Sequence, residues 1–206
     1  MLTAITGTTL LLLLIPITLG VNFEQQLVDA AYQGEIGIVT MLLDRGANIE
    51  ARDYRQGHTP LHAASFGGHM DVVKLLLDRG SNLETRGLFS DTPLLMAAFA
   101  GKNETVSYLL QKGADIEAVD GMGNTAIISA AFAGHLDVVE VLVNNGAKTD
   151  PKNSIGATAY ESAEYAGYNA TSEYLKQFPG SNSVVVVAHS FFILTTTFIS
   201  FFLMHD

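Results

Sequence analysis

The sequence predicts an all-α solenoid of stacked helix-turn-helix repeats, flanked by a hydrophobic segment at each end. Three observations predict it. Thr59, Thr92, Thr125 and Thr158 fall 33 residues apart, and the same interval separates Gly68, Gly101, Gly134 and Gly167, then Gly80, Gly113 and Gly146. A fixed period in the thirties, with like residues at like phase, marks a stacked-repeat architecture. Apolar residues also recur in phase: Val72, Val73, Leu76 and Leu77, then Val106, Leu109 and Leu110, then Val138, Val139, Leu142 and Val143. Their i, i+1, i+4, i+5 spacing is one face of a helix. Finally, residues 1–20 and 184–204 are uncharged apart from His189, while every Lys and Arg lies between them.

The second unit shows the pattern in full. Thr59, Pro60, Leu61 and His62 are followed by Ala63 and Ala64, by Gly68 and His69, by Val72, Val73, Leu76 and Leu77, and by Gly80. These residues resemble the ankyrin repeat, which implies a turn, two short antiparallel helices and a loop. The resemblance covers about residues 22–178 as five repeats: 22–53, 54–86, 87–119, 120–152 and 153–178.

In the first repeat, Gln25 and Gln26 stand where Thr-Pro would be, which predicts an atypical N-terminal cap. Leu27, Ala30 and Ala31 mark its first helix; Ile38, Val39, Leu42 and Leu43 mark its second. One extra residue in the loop 53–58 lengthens the step from Gly34 to Gly68. In each later repeat the threonine is placed to N-cap the first helix, and Pro60 and Pro93 sit where a missing N–H is harmless. Ala126 and Ala159 replace that proline in repeats four and five. The pairs Ala63-Ala64, Ala97-Ala98 and Ala130-Ala131 suit close approach of neighbouring first helices. Each helix is too short to stand alone in water, where ~12–15 residues are needed, so stacking must supply the missing burial. In repeat five, Thr171, Ser172 and Lys176 hold the phase of Val138, Val139 and Val143, which predicts a polar outer face ending the stack.

Residues 1–20 read as a secretory signal peptide cleaved near Gly20, the alternatives being a signal anchor or an apolar arm packed on the first repeat. Residues 179–183 form a short linker. Residues 184–204 are long enough to span ~30 Å as a helix, the hydrocarbon thickness of a bilayer. They read as a GPI-attachment signal or a type I membrane span. The expected location is the secretory pathway, anchored at the cell surface; the alternative is an intracellular membrane. Asn103 and Asn169 head Asn-X-Thr sequons in the same phase, acceptors for glycans if the repeats enter the lumen.

The chain has no cysteine, so no disulfide or thiolate chemistry is available. Its net charge of −10 disfavours a nucleic-acid partner, which needs a basic face. The spacing of His58, His62 and His69 fits no common metal-ligand pair, and Gly121, Met122 and Gly123 fit a hairpin rather than a nucleotide loop. No nucleophile with its base stands out. The reading is of a non-enzyme with no metal and no cofactor. The family resemblance implies recognition on a concave surface made by the hairpin tips and the first helices. Mapped by phase, that surface carries Tyr32, Phe66, Phe99, Phe132 and Tyr165, one ring per repeat. Leu88, Phe89, Met122 and Ile155 occupy the tips, with Arg52, Arg55 and Arg86 placed to engage a carboxylate. The competing reading has the rings half buried, covering neighbouring repeats. Glu50, Glu84, Glu117 and Asp150 form a parallel acidic row, expected to be a solvated rim. The expected function is a protein-interaction module that grips a protein or peptide partner at a membrane surface. Self-association into an assembly, or an intracellular membrane-bound scaffold, is the alternative.

Overall fold

The computed structural model describes residues 23–178. Ten α-helices run in order among them: α1 (Phe23–Gln33), α2 (Ile36–Asp44), α3 (Pro60–Gly67), α4 (Met70–Asp78), α5 (Pro93–Phe99), α6 (Asn103–Gln111), α7 (Ala126–Ala133), α8 (Leu136–Asn144), α9 (Ala159–Ala166) and α10 (Asn169–Leu175). They form five consecutive pairs, the odd-numbered helices stacking side by side. Ala30, Ala31, Ala64, Ala97, Ala98, Ala130, Ala131 and Ala163 line the buried contact between the odd-numbered helices. A single core runs the length of the stack, with Leu27, Leu61, Leu94 and Ile127 on one side and Leu42, Leu76, Leu109 and Leu142 on the other. No helix among the described residues is long and apolar enough to cross a membrane. The signal, linker and membrane readings of 1–20, 179–183 and 184–204 lie outside the described residues.

Sequence chemistry accounts for the helix ends. Thr92 and Thr158 accept N–H bonds from Leu95 and Glu161, and Glu161 returns a bond to the Thr158 N–H at 2.8 Å. His62 does the same work in repeat two: Thr59 N–H donates to its Nδ1 at 3.2 Å. The ring must therefore carry its proton on Nε2, which donates to the Asp91 carbonyl at 3.1 Å and ties repeat two to repeat three. Gly134 ends α7 in the left-handed region at φ 79. The Tyr168 ring lies so close over it that a Cβ there would sit 2.4 Å from ring carbon.

Three inter-repeat ladders hold the stack in register. At the hairpins, the N–H of Leu88, Gly121 and Ser154 donates to the carbonyl of Gln56, Phe89 and Met122 in the preceding tip, at 2.7–2.8 Å. On the loops, Glu50 accepts from the Asn82 N–H, Glu84 from the Asp115 N–H and Glu117 from the Lys148 N–H, at 2.8–2.9 Å. This corrects the expectation of a solvated acidic rim, because each of these three carboxylates satisfies an otherwise open backbone donor of the next repeat. At the starts of the second helices, His69 Nε2 donates to the Tyr32 carbonyl at 2.9 Å and His135 Nε2 to the Phe99 carbonyl at 3.1 Å.

The polar end of repeat five is also placed differently from expectation. Thr171 and Ser172 are buried; only Lys176 of the three residues read as the outer face is exposed. The exposed end is made by Glu161, Glu164 and Lys176, at the phases of Ile128, Ala131 and Val143, all buried in repeat four. Thr171, at the phase of Val138, is buried on the side of the preceding repeat, where Thr105 at the same phase meets Met70, so polarity alone did not place it at the surface.

Candidate functional site

A groove of about 750 Å³ opens on the concave side of the first three repeats. Its floor is the exposed side of α1, α3 and α5, carrying Tyr32, Phe66, Met96 and Phe99; its wall is the hairpin tips, carrying Tyr54, Arg55, Gln56 and Phe89. The rings sit there because each occupies the last turn of its first helix, on the side opposite the alanines that pack on neighbours. Tyr32 and Phe66 stack across two repeats at 6.0 Å between centroids, 18° from parallel. Stacking at that separation is favourable. Phe66 is half buried, while Tyr32, Phe99, Phe132 and Tyr165 are exposed, Tyr165 to 88%.

The structure thus gathers Tyr32, Arg55, Phe66, Phe89 and Phe99 into one concavity and leaves Met122, Phe132, Ile155 and Tyr165 farther along the stack. Leu88, Phe89, Met122 and Ile155 are all exposed at the tips, Ile155 to 78%. Arg86 does not line the groove. Its Nη1 donates to the carbonyls of Ser90 and Val119, as that of Arg52 does to Gly57 and Arg86, so both arginines clamp consecutive hairpins. Arg55 is the one arginine of the three in the groove, its guanidinium 5.3 Å from the Tyr54 ring centre.

Tyr54, Met96, His58 and Asp91 belong to the groove and were not singled out for it from sequence. Tyr54 sits in the one loop that carries an extra residue, which breaks the phase by which the other rings were found. Beneath the wall, His58 Nε2 lies 2.7 Å from Asp91 Oδ2 and the His58 ring stacks on His62 at 5.2 Å. Burial lowers the His62 pKa to about 4 against the opposing pull of Asp91, so this ring is neutral. Burial alone would raise the Asp91 carboxyl, but the hydrogen bond and charge of His58 outweigh it and hold it below its ordinary value. Both groups are used in holding the hairpins. No cluster of three or more His, Asp or Glu among the described residues is arranged to hold a metal ion.

Asn103 and Asn169 open α6 and α10, while the threonines of their sequons, Thr105 and Thr171, are buried. Thr105 Oγ1 donates to Met70 Sδ at 3.4 Å. In the folded chain these sequons are helical first turns.

The family model for ankyrin repeats matches three overlapping spans, residues 1–87, 27–120 and 80–153. The chain belongs to the ankyrin-repeat family. No curated protein matches it. Ankyrin repeats generally mediate protein–protein interaction, and the family is typically a non-catalytic interaction module. In this ankyrin-repeat protein the concave side is where exposed rings, tips and a cavity coincide.

Proposed function

We propose that this ankyrin-repeat protein binds a protein or peptide partner in the groove of repeats one to three, without catalysis, and is held at a membrane surface by residues 184–204. The observation that carries the binding reading is the exposed ring series. Contiguous exposed apolar surface marks interaction sites, and aromatic side chains are favoured anchors in interfaces. The rings need no reorganisation to be used, because the stacked helices already hold them in line. The membrane reading rests on the uncharged length of 184–204 alone.

Capture from the native source with the whole chain as bait, compared with Phe66→Ala/Phe99→Ala, tests the groove. The expected result is a set of proteins retained by the native chain and lost with the double variant, whose far-UV spectrum stays helical. Retention unchanged by the double variant would count against the groove. Flotation with vesicles, with and without residues 184–204, tests the membrane part separately.

A further inference from the structure

The two ends of the stack are finished differently. The outer face of repeat five is polar, through Glu161, Glu164 and Lys176. The first repeat is polar only on its α1 side, where Glu24 and Gln26 are exposed. On its α2 side Ile36, Ile38 and Met41 are exposed. Ile38 identifies the direction in which this face looks. It is 41% exposed, whereas Val72, Thr105, Val138 and Thr171, at the same phase in the other four repeats, are 0–1% exposed. Thr171 is buried although no described repeat follows it, so this position does not look forward along the stack. It looks back, toward whatever precedes α1. A Cβ built on Gly37, between the two isoleucines, meets no atom within 4 Å, so the face is open to close approach.

We infer that residues 1–22 are retained on this chain and cover that face, apolar side chains between Leu10 and Ile15 seating on Ile36, Ile38 and Met41. The segment joins α1 directly and contains no charged residue. Ile15 stands eight residues before Phe23, a reach of up to ~26 Å when extended, against ~14 Å for the length of α2. The first family match spans residues 1–87 and so includes this segment. A stack in water needs its terminal apolar face covered; here the cover is chain that lies before the first repeat, in place of the cleaved signal peptide that the sequence suggested.

The absence of native cysteine makes the test clean. In the full chain, Ile38→Cys is paired in turn with cysteine at each position from Leu10 to Ile15 and oxidised, and intact mass is measured. At least one pair is expected to close an intramolecular disulfide, with residue 1 or 2 at the N-terminus. Ile38→Cys alone should react with maleimide about tenfold more slowly than the exposed control Gln33→Cys, as expected of a site reached only by local opening. Equal labelling rates, or a mature chain beginning after Gly20, overturn the proposal. Protection that grows with protein concentration, with only intermolecular disulfides, assigns the cover to a second copy and overturns it too.

Discussion

His62 shows what one buried side chain does for this fold. Its Nδ1 accepts from the Thr59 N–H and its Nε2 donates to the Asp91 carbonyl, an arrangement only the neutral ring can make. With the folded pKa near 4 and the unfolded value near 6.5, the unfolded chain takes up a proton that the folded chain refuses. That contribution is complete above pH ~6.5 and is lost as pH falls toward 4, a total of about 3 kcal/mol. Urea unfolding of the native chain and of His62→Gln across this window should give a clearly shallower pH slope for the variant. Ser90 is a second informative residue. It has φ 59, at the phase where Gly123 and Gly156 have φ 74 and 82. Ser90→Gly should raise stability by up to ~1 kcal/mol in the same assay, because a non-glycine residue bears a steric cost there. Gly134→Val should do the opposite. It costs ~3 kcal/mol or more, adding overlap with the Tyr168 ring to the backbone strain that Gly146→Val, with open space around it, would incur alone.

At the scale of elements, hairpins and loops carry the register. Asp53, Asp120 and Asn153 each fold their own tip by accepting two or more backbone N–H bonds through Oδ1. Gly87 stands at that phase in repeat three, where an added Cβ would meet the Asp91 carboxylate at 2.6 Å. The tip of repeat three, bearing Leu88 and Phe89, therefore lacks the side-chain acceptor of the other tips; Gly87 N–H on the Asp91 carbonyl, Ser90 N–H on the Gly87 carbonyl and Arg86 on the Ser90 carbonyl hold it, with Leu88 N–H and the Phe89 carbonyl tying it to its neighbours. The glutamate ladder is a separate inter-repeat tie. Glu84→Ala leaves the Asp115 N–H without its partner and should cost ~1 kcal/mol, read as a shift in the urea midpoint. The phase of these acids was visible in the sequence. Their acceptor role was not, since the donor lies 31 residues away and only stacking brings it within reach.

Across the whole molecule, the ends decide whether stacking stops. Glu161 and Glu164 replace an isoleucine and an alanine that are buried one repeat earlier. Glu161→Ile with Glu164→Ala recreates the docking face of repeat four and should produce association that grows with concentration, measurable by sedimentation against the native chain. The five-repeat stacking was readable because period and phase report the same helix pair over and over. The groove was readable only in part. Phase found the five rings, but Tyr54 entered it through loop length and Met96 at the phase of Ala63, which also lines the groove, and Arg52 and Arg86 left the recognition set because backbone carbonyls of adjacent hairpins claim them.

The amino-acid order by itself determined the repeating helix pairs with their threonine starts and glycine ends, since each depends on residues within a turn or two of one another, and composition alone set the absence of thiol chemistry. Tertiary structure alone decided which acids brace the next repeat, which polar residues of repeat five are buried, and that Ile38 is left uncovered by the described repeats. Those outcomes depend on groups about one repeat apart in the chain, or on a missing neighbour, and such contacts exist only once the repeats have been laid side by side.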